Sequence, residues 1–296
     1  MEYKFYQVDV FTSTPLGGNP LAVFVEADGL DTETLQKVAR EMNLSETTFV
    51  LSASDADFEV RIFTPEKELP FAGHPTIGTA HILRQIGKIP DEQNLIRLKM
   101  KVGVIPVHVE ANGERLFMEH PQPEFGPILD SVADAAHALG LPSSAIDTRW
   151  PCQVVSTGFP ALFVPLTTLD SARNIKVNIG KLEEVLEALG TDMVYVFTLE
   201  TVHSGFTLHS RAFAPGIGIP EDPATGSASG AMGAYAAEYD VIAKEKLRDI
   251  KIEQGYEMGR PSSIYVEVEQ AGGEIKSIRV GGESVTVVEG QLKLQT

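Results

Sequence analysis

Residues 61–80 read RIFTPEKELPFAGHPTIGTA, and residues 211–228 read RAFAPGIGIPEDPATGSA. Both stretches open with Arg-x-Phe-x-Pro, carry a second proline and end in small residues. The matching pairs are Arg61 and Arg211, Phe63 and Phe213, Pro65 and Pro215, and Pro70 and Pro220. Two residues are then lost in the second copy, which places His74 opposite Asp222. A repeat this far apart is too long for a solenoid, so we interpret it as duplication of a whole domain.

Length, charge and cysteine content narrow the class of protein. The 296 residues suit two domains, and the net charge of −17 repels phosphate backbones, so we predict no nucleic-acid partner. No apolar run approaches the roughly 20 residues of a membrane span, and the first strand lacks the pattern of a signal peptide. We therefore predict a soluble, cytoplasmic protein. The single cysteine, Cys152, fits a reducing compartment.

Strand patterns dominate both halves of the chain. Each half contains an Arg-x-Phe-x-Pro strand, then a proline-bounded loop and then a helix, which begins near Gly73 in the first half and near Gly226 in the second. Both helices start with small residues, which suits a helix enclosed tightly by a sheet. Strand-rich tails follow at 95–119 and 249–295, the first with a hairpin signal at 111–113. We predict an α+β fold of two pseudo-symmetric domains, each a curved, mostly antiparallel sheet wrapped around a central helix.

The domain boundaries are predicted from composition. The Pro-rich stretch HPQPEFGP at 120–127 is interpreted as a linker. The domains are then 1–119 and 128–296, with the last strand free to return to the first domain.

The two predicted helix starts are candidate anion sites, because a helix N-terminus presents free backbone N–H groups. If the starts at 73–76 and 223–227 meet at one cleft, the ligand is a small anion, most simply a carboxylate. The hydroxyl of Ser227 or Thr76 would assist. The alternative for Asp222 is an ordinary helix N-cap, with proline at the first helical position.

Two further side chains are candidates for acid–base chemistry. His74, paired with Asp222, could act as an acid or base or bind a substrate amine, although a lone histidine is more often structural. Glu46 follows a predicted helix and opens an apolar strand, so it could serve as a buried general base. The alternative is a loop glutamate in water. Asp192 is the approximate counterpart of Glu46 in the second half.

The sequence lacks the motifs of several other kinds of enzyme. Ser227, His74 and Asp222 could be arranged as a hydrolase triad, but GSASG at 226–230 places its serines wrongly for G-x-S-x-G. Neither G-x-G-x-x-G after a strand nor a P-loop occurs, so no cofactor is predicted. His81 lies two helical turns after His74, but no further ligand has the spacing for zinc, so no metal is predicted.

Four stretches resemble the phenazine-biosynthesis isomerase (PhzF-like) family, in order and over essentially the whole chain. They are QVDVFTSTPLGGNPLAVF from Gln7, NLSETTFV from Asn43, FTPEKELPFAGHPTIGTA from Phe63 and DPATGSASGA from Asp222. The resemblance implies a diaminopimelate-epimerase-like fold with two similar domains, a central helix in each and the active site between them. It also implies a cofactor-free enzyme and a homodimer.

The resemblance further implies the site residues. In the related epimerases and racemases a cysteine before each helix supplies a base, whereas this chain carries Ala72 or Gly73 and Thr225 there. Two-cysteine racemisation is therefore disfavoured, and the resemblance assigns the base to Glu46. Around the substrate it places His74, Asp222 and Ser227, with the backbone of Gly73 and Gly226 near the carboxylate.

We therefore predict a cofactor-free isomerase that moves a proton between carbons of a small carboxylic acid. Glu46 would be the general base, and His74 and Asp222 would orient an amine or hydroxyl of the substrate. Two alternatives stay open. One is an epimerase or racemase of amino or hydroxy acids, and the other is a non-catalytic protein that binds small acids.

Overall fold

The computed structural model describes residues 1–110 and 113–294, which form two compact units. Unit 1 is Met1–Glu119 together with the chain from Gly281, and unit 2 is His120–Val280. The hairpin signal predicted at 111–113 lies partly outside the described residues. In the described part of the chain no helix has both the length and the apolar character needed to cross a bilayer.

Unit 1 contains a mixed sheet, in which some strands pair antiparallel and others parallel, and two helices. Its strands before unit 2 are β1 (Glu2–Val10), β2 (Asn19–Phe24), β3 (Glu46–Leu51), β4 (Phe58–Phe63), β5 (Glu68–Leu69), β6 (Leu95–Met100), β7 (Gly103–Val109) and β8 (Leu116–Glu119). Its helices are α1 (Thr32–Met42) and α2 (Gly73–Gln85). β2 pairs antiparallel with β1 and parallel with β3, β4 pairs antiparallel with β3 and parallel with β6, and β6 pairs antiparallel with β7.

The sheet of unit 1 packs around α2. The helix contacts strands from both ends of the sheet, including β1, β2, β3 and β8, and it is buried from His74 to Ala80. Gly78 permits this close approach, because a Cβ there would lie 2.7 Å from side-chain atoms of both Leu21 and Val10. The predicted small-residue helix enclosed by a sheet is confirmed.

Unit 2 repeats the plan of unit 1. Its strands are β9 (Glu124–Ile128), β10 (Gln153–Ser156), β11 (Pro160–Pro165), β12 (Val194–Thr198), β13 (Leu208–Ala214), β14 (Ile219–Asp222), β15 (Ile250–Gln254), β16 (Ser262–Ala271) and β17 (Glu274–Gly282), whose last two residues are counted with unit 1. Its helices are α3 (Val132–Ala138), α4 (Leu169–Arg173), α5 (Ile179–Leu189) and α6 (Gly226–Glu238). The pairings of β10, β11, β12, β13, β15 and β16 have the same directions as those of β1, β2, β3, β4, β6 and β7. The α+β duplication predicted from the sequence is therefore present.

Strand register fixes which residues of the two units are equivalent. Thr47 pairs with Phe63 in unit 1, and Val194 pairs with Phe213 in unit 2. The predicted match of Phe63 with Phe213 therefore makes Thr47 and Val194 equivalent.

One step back along each strand, the counterpart of Glu46 is Met193. The internal repeat of the sequence predicts Asp192 as the counterpart of Glu46, and this prediction is wrong by one residue. The error is one of register, since a shift of one residue moves a side chain to the other face of the sheet.

The same reasoning relates the strands beside the two central helices. Strand β6 lies parallel to the Arg-x-Phe strand β4, and β15 lies parallel to the Arg-x-Phe strand β13. The register of these two pairs makes Met100 equivalent to Gln254. The paired residues are Phe58 with Leu98 and Leu208 with Ile252.

The starts of α2 and α6 correct the alignment drawn from the sequence. Both helices have 13 residues, and their N-caps are Ala72 and Thr225. His74 and Ser227 are thus the second residues of equivalent helices, whereas Asp222 ends β14. The placement of His74 opposite Asp222 is wrong, because unit 2 has three extra residues between its Phe strand and its helix, where the sequence motif suggested a deletion.

The predicted linker is partly a strand. Residues 124–127 lie in β9, which pairs antiparallel with β10. The register shifts between Ile128 and Phe125, so Pro127 falls in a bulge, a position where the missing N–H of proline does not interrupt a ladder. A proline-rich composition therefore did not exclude a strand here.

The last strand, β18 (Ser284–Lys293), belongs to unit 1. It pairs antiparallel along the length of β1, from Glu2 opposite Lys293 to Val10 opposite Ser284. The return to the first domain, which the sequence left open, occurs, so the second unit does not extend to the end of the predicted domain 128–296.

Candidate active site

Glu46 is the first residue of β3. Asn43 is the C-cap of α1, and its left-handed backbone (φ 53°) turns the chain sharply towards the strand. Glu46 then pairs with Leu21 of β2 and is 8% exposed. The strand holds this carboxylate inside unit 1, so the alternative of a loop glutamate in water is wrong.

His74 lies beside Glu46. Its Nε2 is 3.5 Å from Oε2 of Glu46, and the histidine is 7% exposed. This separation is longer than an ordinary hydrogen bond. Burial lowers the pKa of His74 to about 3, so the imidazole is uncharged at neutral pH. Unit 1 therefore contains a buried carboxylate next to a neutral imidazole, which we call the Glu46 pair.

The start of α2 offers backbone donors next to the Glu46 pair. Its N-cap, Ala72, has no capping side chain, and Pro75 at the third position has no N–H. The N–H groups of Gly73 and His74 are therefore the ones that α2 itself does not use. The Thr76 hydroxyl donates to the Ala72 carbonyl at 2.7 Å, so its hydrogen stabilises the first turn and is not directed to a ligand.

In unit 2 a compact set of polar groups lies at the start of α6, and we call it the Asp222 group: Asp222, Thr225 and Gln254. Thr225 Oγ1 donates to Oδ2 of Asp222 at 2.5 Å. Gln254 Nε2 donates to the Asp222 carbonyl at 2.7 Å and to Thr225 Oγ1 at 2.9 Å. The N-cap of α6 is Thr225, so the alternative that Asp222 is the N-cap is wrong.

Ser227 is the second residue of α6 and is held through its carbonyl. Thr157 Oγ1 donates to that carbonyl at 3.3 Å, and Nδ1 of His120 lies 2.9 Å from the same hydroxyl. Gly230 lets His120 pack against the helix, because a Cβ there would lie 2.4 Å from Nδ1. Burial lowers the pKa of His120 to about 4, so this histidine is also neutral at pH 7.

The structure brings the predicted residues together in two sets. Within unit 1 it joins Glu46 with His74, which lies in the first turn of α2 together with Gly73 and Thr76. Within unit 2, Asp222 lies just before the α6 start, where Gly226 and Ser227 are the first two helical residues.

Gln254 and His120 are residues of the second set that the sequence reasoning missed. Gln254 ends a strand of ordinary apolar alternation, and His120 stood in the supposed linker, so neither carried a motif. Gln254 is fully buried and His120 is nearly so, and a buried polar side chain normally has a hydrogen-bond partner. That both residues are polar was the only signal in the sequence.

The remaining candidates take no part in either set. Cys152 is buried in the apolar core of unit 2, and burial raises the pKa of its thiol to about 12. Burial also lowers the pKa of His81. Across residues 1–110 and 113–294, no group of three or more His, Cys, Asp or Glu side chains has an arrangement that could hold a metal ion.

These features define the class: an α+β protein built twice on one plan, in which a buried carboxylate lies beside the imidazole at the start of the central helix of unit 1. The model of the family described as phenazine biosynthesis-like protein matches residues 8–290. The chain belongs to this PhzF family, as the resemblance implied, and it is an isomerase.

Individual relatives agree with the family. The trans-2,3-dihydro-3-hydroxyanthranilate isomerase of Pseudomonas aeruginosa is 36% identical over 99% of this chain and 100% of that protein. An uncharacterized isomerase of Clostridium acetobutylicum is 34% identical over 99% of each chain. The crystal structure of the PhzF-family phenazine biosynthesis protein of Bacillus anthracis has a TM-score of 0.91 and 32% identity, covering 99% of this chain and 100% of that one.

Proposed function

We propose that this isomerase moves a proton between two carbons of a small carboxylic acid and that Glu46 is its general base. The observation that carries the proposal is the contact between the buried Glu46 carboxylate and a neutral His74, at 3.5 Å. A general base needs a carboxylate that is held in place and has not been neutralised by a cation. Because His74 is uncharged at neutral pH, it does not neutralise the Glu46 carboxylate by forming an ion pair with it.

The reaction proposed here is redox-neutral and requires no electron carrier, so we propose that it proceeds without a cofactor. Glu46 would take the proton from one carbon and return it at another, which requires that one carboxylate reach both positions. His74, next to Glu46, would orient the substrate or relay the proton.

The substrate carboxylate is proposed to bind backbone N–H groups at the start of a central helix. The candidates are the N–H groups of Gly73 and His74 in α2 and those of Gly226 and Ser227 in α6. Helix N-termini stabilise negative charge, both in the bound carboxylate and in charge that develops during proton removal. Asp222, as an acceptor, would bind an amine or hydroxyl of the substrate.

An epimerase or racemase with two opposed bases is less well supported. Met193 replaces Glu46 at the equivalent strand position, and Ala72 and Thr225 stand as N-caps where related racemases carry cysteines. The family membership as an isomerase also argues against a protein that binds small acids without catalysis.

The first substrate to test is trans-2,3-dihydro-3-hydroxyanthranilate, because the relative from Pseudomonas aeruginosa is named for its isomerisation. Turnover in deuterated water, followed by mass and chiral analysis, separates the two enzyme classes. We expect a moved double bond, with deuterium at the new carbon to the extent that the proton on Glu46 exchanges with solvent before it is returned. Inversion at one carbon with the skeleton of double bonds unchanged would replace the proposal by an epimerase.

We also propose that the enzyme is a homodimer, as in the family that it resembles. Light scattering during size-exclusion chromatography should give twice the mass of one chain. A single-chain mass at micromolar concentration would contradict this part of the proposal.

A further inference from the structure

We propose that Thr225 and Gln254 are positioning residues that present Asp222 to the substrate purely as a hydrogen-bond acceptor, so that the enzyme selects small acids that also carry an amine or hydroxyl donor. This inference rests on the proposed function in one respect, since it takes Asp222 as a residue that contacts the substrate.

The first step is the orientation of the Gln254 amide. Its Oε1 accepts from the backbone N–H of Thr225 at 3.2 Å, and its Nε2 donates to the backbone carbonyl of Asp222 at 2.7 Å. A backbone N–H can only donate and a carbonyl can only accept. These two contacts therefore fix which end of the amide is oxygen and which is nitrogen.

The second step is the direction of the Thr225 hydroxyl. Because Nε2 of Gln254 also donates to Thr225 Oγ1 at 2.9 Å, the hydroxyl oxygen is an acceptor in that contact. Its single hydrogen then points to Oδ2 of Asp222, 2.5 Å away. Oδ2 of Asp222 is therefore the acceptor in this contact.

The side chains of Thr225 and Gln254 are held rigidly. Gln254 is 0% exposed and Thr225 is 4% exposed, so water does not compete for these bonds. The neighbouring chain is held as well, because Ser262 Oγ donates to the Pro223 carbonyl at 2.9 Å. At Gly255, which has φ 80°, a Cβ would lie 2.6 Å from the same carbonyl, so only glycine permits this approach.

Comparison with unit 1 separates this role from simple stability. The residues equivalent to Thr225 and Gln254 are Ala72 and Met100. In that unit the N-cap position has no side-chain hydroxyl, and the position equivalent to Gln254 has no amide. The duplicated fold therefore tolerates an apolar pair at these positions, and the polar pair occurs in the unit that carries Asp222.

Binding of two probes tests the inference, with anthranilate (2-aminobenzoate) and benzoate measured by calorimetry. Both carry a carboxylate, but only anthranilate adds an amine donor. The wild-type protein should prefer anthranilate by roughly tenfold or more, the value of one hydrogen bond to a charged group. Thr225→Val should lower that preference roughly tenfold while benzoate affinity stays within about twofold.

Gln254→Met gives the second variant, since methionine has a similar volume and occupies the equivalent position of unit 1. It should also lower the preference for anthranilate. Thr225→Ser, which restores the hydroxyl, should regain it. Thr191→Val is the matched control, because Thr191 is another buried threonine of unit 2 whose hydroxyl donates to a carbonyl, that of Pro160 at 2.7 Å.

The inference is overturned if the wild-type protein shows no preference for anthranilate. It is also overturned if folded Thr225→Val and Gln254→Met lose both probes equally, which is the result of a merely structural role. Binding does not require the base, so Glu46→Gln should keep the preference. Full turnover by Glu46→Gln would reject the proposed base and leave this inference standing.

Discussion

Met193 takes in unit 2 the register position that Glu46 holds in unit 1. The duplicated strand is retained, but the carboxylate is replaced by a thioether. The opposite holds at the helix starts, where unit 2 has the hydrogen-bonded Thr225 and unit 1 has Ala72. The two units thus share one plan and differ in chemistry, which suits a reaction with a single proton-transferring base.

The first prediction concerns that base. Glu46→Gln should lower kcat for the active substrate by about 10²–10⁴-fold, the usual contribution of a general base. The midpoint of thermal unfolding should be unchanged or raised, because a neutral amide is cheaper to bury than a carboxylate. Glu59→Gln, on β4 of the same unit, serves as the control and should retain activity. A fully active Glu46→Gln enzyme would contradict the assignment.

The second prediction concerns stability at low pH. Burial lowers the pKa of His74 to about 3, whereas an unperturbed histidine has a pKa of 6.5. Between these values the unfolded chain binds a proton that the folded chain does not, so stability falls as pH falls below 6.5. In this range the free energy of unfolding should fall by up to about 1 kcal/mol for each pH unit.

Urea unfolding at pH 7 and pH 5 measures this effect. His74→Gln should show a smaller loss of unfolding free energy between the two pH values than the wild type. His137→Gln, which replaces an exposed histidine of α3, should behave as the wild type. Equal pH dependence in all three proteins would show that His74 titrates normally.

The third prediction concerns packing around α2. Gly78→Ala should destabilise unit 1 by about 1–3 kcal/mol, because the new methyl would lie 2.7 Å from side-chain atoms of Leu21 and Val10. Gly180→Ala in α5 is the matched helical control, since no atom lies within 4 Å of its Cβ position. That variant should be neutral or more stable by up to about 1 kcal/mol. Chemical denaturation measures both, and equal effects would refute the packing argument.

The fourth prediction concerns the single cysteine. Cys152→Ala should retain isomerase activity, because the residue lies in the apolar core of unit 2 and in neither polar set. The native thiol should react with Ellman's reagent far more slowly than the unfolded chain does, since burial raises its pKa to about 12. Loss of turnover in a well-folded Cys152→Ala protein would revive the racemase alternative.

Much of this architecture could be predicted from the sequence because the duplication left paired motifs. Phe63 and Phe213 anchored the repeat correctly, and the small residues after Gly73 and Gly226 marked the two central helices. Glu46 was identified because it stands where a helix passes into an apolar strand. These features depend on local pattern, which a sequence displays directly.

The errors arose where the answer depends on pairing between distant segments. Asp192 and Met193 are adjacent, and only strand register decides which one corresponds to Glu46. The extra residues before α6 shifted the alignment of His74, because proline matches outweighed the position of the helix start. Gln254 acquires its role only when β15 is placed beside the α6 N-terminus, and no local pattern reports that.

The pairing of β18 with β1 has a consequence for synthesis of the protein. Every residue of unit 2 emerges from the ribosome before residues 284–293, so unit 2 has its complete sequence while the first strand still lacks a neighbour along one edge. A released chain truncated after Glu283 should therefore be protease-resistant in unit 2 and vulnerable in unit 1. Until translation reaches that point, the open edge of β1 is the part of the chain most in need of a chaperone.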